Sequence, residues 1–250
     1  MPAVTVVDVT VTDTTLPKVP ASLMPDYPDY EQTATEHWLF DKGSSAGLIG
    51  TKAGLVLTPT GLAPTYPGAY LTLPGGGVRA LITPWDDDDA AGTDCFVLRY
   101  PAATNAQTLI MASDIGSTAG GGEFFYLSDL ERLACSVRGY SAQATTAAGS
   151  MPAATWLFVA LSRATGTRTV YRGVDGSSFI TATTTGTKTL ATPMRKRVIG
   201  NAYRNTAGYI ENPLDLAEAI YFPDTKDATA LMAIYLRSRE RMADRGLVLA

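Results

Sequence analysis

Histidine is nearly absent from this chain. One imidazole, His37, stands among 250 residues. That excludes a multi-histidine metal centre and leaves any Ser–His–Asp arrangement a single possible base. Cysteine is almost as scarce. Cys95 and Cys135 make no disulfide framework and match no zinc spacing; they are either buried thiols on strands or a bridge between neighbouring strands. Charge is thin, with Asp, Glu, Lys and Arg at 18% of residues against about 25% in an average globular chain. The formal net charge of −4 gives neither nucleic acid nor an anionic membrane an electrostatic footing. No apolar window approaches the ~18 residues of a membrane span, and the N-terminus lacks a basic region followed by an apolar run.

What is present is Thr, Gly and Ala, arranged in short apolar runs that end in turn signals. This composition suits a β-rich extracellular or virion protein better than a cytosolic helical enzyme. Residues 1–30 differ from the rest. Val7, Val9 and Val11 alternate with Asp8, Thr10 and Thr12, the period of a half-buried strand, and LPKVPASLMPDYPDY follows. Proline fixes φ and removes a backbone donor, so residues 1–30 read as an extended arm or linker, a docking segment for the body or for a partner subunit.

Residues 31–250 read as one all-β domain, an antiparallel β-sandwich closed by a short C-terminal α-helix. EHWLFD, Leu55–Leu57, Tyr70–Leu73 and Val78–Ile82 are short strands, the first two separated by the glycine-rich KGSSAGLIGTKAG. DCFVLRY, QTLIMASD, EFFYLSD and RLACSVRGY follow at the even spacing of a sandwich or jelly roll. Gly116–Glu123 reads as a hairpin tip and not a phosphate cradle, because no Lys-Ser/Thr and no helix follow it. Trp156–Leu161 is apolar on both faces, as a central strand is. Thr-rich Phe179–Leu190 reads as an exposed strand, and Arg195, Lys196 and Arg197 as charges guarding a strand edge. Asp227 caps a helix with Leu231, Ile234, Tyr235 and Met242 on one stripe and Gly246 as its stop.

Two stretches carry residue types suited to sugar recognition, which uses aromatic platforms beside polar side chains. One is Trp85 with Asp86, Asp88 and Asp89. The other is Tyr203 with Asn201, Arg204 and Asn205. Both also read as ordinary surface. The run Asp86–Asp89 needs solvent or a cation to relieve its repulsion. It is an exposed acidic turn or a Ca²⁺ loop, since hard oxygen ligands suit Ca²⁺, although the alternating ligand spacing is missing. No other cofactor is expected.

The second half, with its Trp-led strand Trp156–Leu161, Val170-Tyr171-Arg172-Gly173, Val198-Ile199-Gly200, the acidic strand Leu214–Phe222 and the helix carrying Ala233-Ile234-Tyr235-Leu236, resembles the laminin-G-like branch of the concanavalin A-like lectin/glucanase jelly rolls. The resemblance covers roughly residues 31–246 and implies a concanavalin A-like jelly roll. Related glucanases carry Glu-x-Asp-x-x-Glu on one strand. The nearest match here is Glu211, Asp215 and Glu218, with the wrong spacing and Pro213 where the middle Asp belongs. On a regular strand Asp215 and Glu218 point to opposite faces and cannot form the carboxylate pair of a glycosidase.

The expected function is therefore a non-catalytic virion appendage, a bacteriophage head or tail decoration or fibre. Its partners would be neighbouring virion subunits and a host-surface glycan, in a homo-oligomer or larger assembly, with neither nucleic acid nor membrane. A purely structural decoration protein docked by its N-terminal arm is the alternative, and a glycan-cleaving enzyme is disfavoured.

Overall fold

A computed structural model of the chain describes residues 30–100, 107–114, 120–204 and 212–250. The arm, apart from Tyr30, lies outside the described residues, as do Asn205 and Glu211.

Among the described residues fourteen strands, numbered in chain order, form two antiparallel sheets. The first sheet runs β1 (Glu36–Leu39), β14 (Leu214–Phe222), β5 (Gly92–Arg99), β10 (Leu157–Ala164), β11 (Thr167–Val174) and β12 (Ser178–Thr185). β3 (Leu71–Leu73) pairs with the part of β14 that β1 leaves free. The second sheet runs β2 (Thr58–Gly61), β4 (Arg79–Asp86), β13 (Lys196–Asn201), β6 (Thr108–Ala112), β7 (Glu123–Leu127), β8 (Leu133–Val137) and β9 (Ala144–Thr145). Among the described strands the chain crosses between sheets at eight of thirteen steps. It stays within one sheet along β6–β9 and β10–β12, and turns of two and three residues close the β10–β11 and β11–β12 hairpins.

The apolar residues fall into layers that follow strand alternation. Between the sheets pack Trp38, Phe40, Phe96, Leu98, Phe125, Val159, Leu161, Leu216 and Tyr221. On the outer face of the first sheet Val97, Phe158, Ala217, Ile220 and Phe222 meet Leu231, Ile234, Tyr235 and Met242 of α1 (Ala228–Ala243). Each fully buried Phe or Leu here contributes about 1.5–3 kcal/mol. The expected helix forms as its sequence signals: the Asp227 side chain accepts from the Ala230 N–H at 2.8 Å, and Gly246 takes φ +73°. Tyr235 pins the helix, its hydroxyl donating to Ala250 O at 2.8 Å and accepting from Gly176 N–H at 3.2 Å.

Three local expectations change. Leu55–Leu57 is not a strand; Val56 makes one isolated bridge with Ile49, and β2 follows at Thr58. The preceding loop is instead organised by Glu36, a buried carboxylate that accepts from the backbone N–H groups of His37, Lys52, Ala53 and Leu55 at 2.8–3.1 Å. The basic cluster Arg195–Arg197 guards no edge, because β13 lies between β4 and β6 inside the second sheet. Arg195 donates to Ser113 O and Gly121 O, while Arg197 is buried over the Tyr221 ring. Cys95 and Cys135 are both free and buried, one beneath α1 and the other between the sheets, so the bridge between neighbouring strands does not form.

Candidate functional site

The acidic run is divided just past the end of β4 at Asp86. Asp87 and Asp89 turn inward, where Asp87 pairs with Lys188 and accepts from Ser113 Oγ at 2.6 Å, and Asp89 pairs with Arg168. The protein's own cations thus relieve the repulsion that suggested Ca²⁺. Among the described residues no group of three or more His, Cys, Asp or Glu is placed to hold a metal. Asp88 is exposed and caps the Ala90 N–H at 3.2 Å. Asp86 is exposed and pairs with Lys196 Nζ at 3.0 Å. Trp85 is half-buried: its ring stacks on Tyr221 with centroids 4.1 Å apart and meets Trp38 edge-on at 5.5 Å. The void beneath it measures about 10 Å³, on the order of one water molecule and far too small for a sugar.

In the second stretch Asn201 closes a turn, its side chain accepting from Arg204 N–H at 2.9 Å and donating to Arg204 O at 2.8 Å. Arg204 is buried with its guanidinium 4.3 Å from the Phe124 ring centroid. The chain bends at Ala202 and Tyr203, just beyond β13, and Tyr203 folds back against the outer apolar face of the second sheet. Its hydroxyl donates to Lys196 O at 3.0 Å. Burial pushes the Tyr203 phenol up from its ordinary value, against the bond to Lys196 and the charge of Arg195.

The two stretches therefore meet at Lys196, whose carbonyl holds Tyr203 and whose ammonium holds Asp86. This strip of Tyr203, Lys196, Asp86 and Asp88 keeps half-buried aromatic surface next to exposed charges of both signs. Trp85, Asp89, Asn201 and Arg204 are engaged in internal contacts.

The β14 carboxylates do not lie on opposite faces. The register slips between Leu216 and Glu218, a β-bulge that places Ala217 and Glu218 on the same side. Asp215 and Glu218 thus share the outer face of the first sheet, but each has its own partners. Asp215 accepts from Arg99 Nε and NH2 at 3.0 and 2.7 Å and from Thr72 Oγ1 at 2.7 Å. Glu218, fully buried under α1, accepts from Arg241 Nε at 2.7 Å, Ser238 Oγ at 2.5 Å and His37 Nε2 at 2.9 Å. Burial pushes the Glu218 carboxyl up, but Arg241 and the His37 bond outweigh it and hold the group well below the usual carboxylate range.

Sequence reading missed a second buried network, because its members are far apart in the chain. Glu123 accepts from Arg168 Nε at 2.8 Å, lies 3.3 Å from Lys188 Nζ and 3.7 Å from Arg163 NH1; Arg163 also pairs with Asp94. Burial raises the Glu123 carboxyl, and the charges of Lys188, Arg168 and Arg163 then hold it well below its ordinary range. Asp87 goes the other way, raised by burial and by the Glu123 charge against the opposing pull of Lys188 and Ser113. The only sequence signal for this network was a surplus of carboxylates at 86–89 needing cations.

No protein-family model and no curated protein matches the chain. Solved structures do. Trypanosoma rangeli sialidase in complex with 2,3-difluoro-KDN aligns over 86% of this chain and 33% of its own, at TM-score 0.59 and 10% identity. The receptor binding domain of botulinum neurotoxin D aligns over 82% and 53%, at TM-score 0.57 and 10% identity. A GH43 protein from Bacillus licheniformis aligns over 80% and 41%, at TM-score 0.52 and 13% identity. The likeness is one of fold. The chain is an all-β sandwich of the kind found in these sialidase, GH43 and toxin receptor-binding-domain structures, and it spans from a third to about half of their length.

Proposed function

We propose that this chain is a carbohydrate-binding β-sandwich without catalytic machinery, carried on a bacteriophage virion as a head or tail appendage that attaches to host-surface glycan. The observation that carries the reading is the strip at Lys196, where Tyr203 offers aromatic surface beside exposed Asp86, Asp88 and Lys196. Sugars are held by this combination of a ring face and polar side chains. The fold likeness to a toxin's receptor binding domain and to a sialidase supports it. A non-catalytic role is supported by the β14 carboxylates, since Glu218 is inaccessible and Asp215 is saturated by Arg99 and Thr72. The virion setting rests on composition: low charge, abundant Thr, Gly and Ala, and the proline-rich arm.

The test is a glycan array and a bacterial-surface binding assay on the folded protein, repeated with Tyr203→Ala and Asp86→Ala. Binding lost by roughly tenfold or more in either variant supports the strip. A folded protein that binds nothing in both assays sinks the reading.

A second reading, a structural decoration protein, is favoured by the groove between β12 and α1. It is open, about 600 Å³, and lined by Phe179, Thr181, Met232 and Leu236, surface better suited to protein than to sugar. Removal of residues 1–28 should then abolish incorporation into the assembly while leaving the domain folded. A truncated chain that still incorporates is incompatible with arm docking.

A further inference from the structure

β12 ends the first sheet, and among the described residues no strand pairs with its outward edge between Ser178 and Thr185. Gly186 N–H donates to Gly166 O at 3.0 Å, and the register places Thr185 opposite Thr167 and Thr184 opposite Arg168. Antiparallel pairing alternates, so the even-numbered residues of β12 direct N–H and C=O toward β11. Phe179, Thr181 and Thr183 direct theirs away from the sheet. The Thr169 Oγ1–Thr183 Oγ1 contact at 3.0 Å fits the closer, non-hydrogen-bonded kind of pair that this assignment requires.

Side chains follow the same parity. Ala182 packs into the layer between the sheets, and Thr184 Oγ1 donates to Ala142 O at 2.8 Å. Phe179 lies on the outer face, 5.9 Å from the Tyr235 ring. Phe179 and Thr181, two of the positions with outward backbone groups, border the groove beside Met232 and Leu236 of α1, and Leu236 is 43% exposed. Natural edge strands carry Lys, Pro, bulges or inward charges that discourage further pairing. The sequence SFITATTT has no charge, no proline and no glycine, and it is dominated by β-branched and aromatic residues.

We infer that β12 is the seam of a twofold homodimer, in which the first sheets of two copies join edge to edge. The occupant is a second copy because the strand is complementary to itself. It is uncharged, so two copies meet without like-charge repulsion. Its free backbone positions are all odd-numbered, so an axis through Thr181 pairs Thr181 with the partner's Thr181 and Phe179 with the partner's Thr183. That register gives roughly six backbone hydrogen bonds. An axis perpendicular to the joined sheet keeps both α1 helices on one side, and Met232 and Leu236 of one copy face their equivalents across the seam. The groove becomes interior. The bridge between Tyr140 and Gly186 bounds the seam at the far end of β12.

The dimer is tested by light scattering and sedimentation across a concentration range. Wild type is expected to be a dimer. Thr181→Lys and Thr181→Glu should each be monomeric with unchanged circular dichroism, and an equal mixture of the two should re-form a dimer, because position 181 faces itself across the axis. Hydrogen exchange on the wild type provides a reading that needs no variant: the amides of Phe179, Thr181 and Thr183 should be protected more strongly as concentration rises. A wild type that stays monomeric at millimolar concentration, or Thr181 variants that stay dimeric while folded, overturns the inference.

Discussion

His37 Nε2 donates to Glu218 Oε1 at 2.9 Å, joining the strand that opens the body to the one that precedes its terminal helix. The other ring nitrogen is also committed, with Nδ1 accepting from Glu31 N–H at 3.1 Å. Glu31 in turn accepts from Arg237 and Arg241 of α1. The single histidine is therefore a buried fastener among β1, β14 and the helix, and it offers no free nitrogen to a substrate.

Glu218→Gln should be strongly destabilising. It keeps the volume but leaves Arg241 and His37 facing a neutral amide, and loss of one partner of a buried ion pair costs about 3–5 kcal/mol. Urea denaturation monitored by fluorescence measures this. Glycan binding by the fraction that remains folded should be unchanged, since Glu218 lies on the other sheet from Tyr203.

Stability should fall on the acid side. The carboxyls of Glu218 and Glu123 are both held below their ordinary range in the fold. Each therefore stabilises above the unfolded-state value, and that contribution is lost as pH drops through the ordinary carboxylate region toward the folded value. Asp87, raised in the fold, has the opposite sign: its protonation favours the native state as pH falls and offsets part of the loss. The expected outcome is a flat melting temperature near neutrality and a steep fall below about pH 4, read by thermal melts across pH. Lys188→Met should lower stability near neutrality and make that fall shallower, because removing the cation brings the Glu123 carboxyl back toward its ordinary value.

Gly50→Ala should cost more than a surface substitution. A Cβ there would stand 2.0 Å from the Glu36 carboxyl carbon and break the set of N–H bonds that shapes the 50–55 loop. Gly173→Ala would drive a methyl to 2.5 Å from the Tyr235 ring, lifting α1. Overpacking of this kind costs about 1–3 kcal/mol. Chemical denaturation of both variants checks this, with Gly54→Ala as a control: its Cβ meets nothing within 4 Å, so its penalty is confined to the backbone strain of φ +74°.

Both thiols should be inert in the native state. Cys95 and Cys135 are fully buried, and burial pushes each thiol up from its ordinary value, so the reactive thiolate is suppressed. A chromogenic thiol reagent should titrate neither thiol in buffer and both in denaturant. Rapid labelling of the folded protein contradicts this placement.

The strands and the helix were readable because each writes its period locally: EFFYLSD, Leu214–Phe222 and the stripe Leu231, Ile234, Tyr235, Met242 appear as expected. The ionic networks were not readable. Glu123, Arg168, Lys188 and Asp87 come from four different segments, and only the packing of two sheets brings them together. Nor could alternation alone place Glu218, because it assumes one residue per pleat and a bulge violates that assumption. The packing of Trp85 was unreadable for a related reason, since its stacking partner Tyr221 sits on the opposite sheet.

That bulge makes β14 sensitive to length as well as to residue identity. Ala217 is the extra residue of the bulge, and deleting it alone lets Leu216 and Glu218 follow one another in regular alternation while every other β14 side chain keeps its face. Deleting a neighbour such as Ala219 instead either re-phases the residues beyond it or turns Glu218 into the apolar layer between the sheets. Random deletion libraries should therefore recover the loss of Ala217 more readily than the loss of any other residue between 214 and 222.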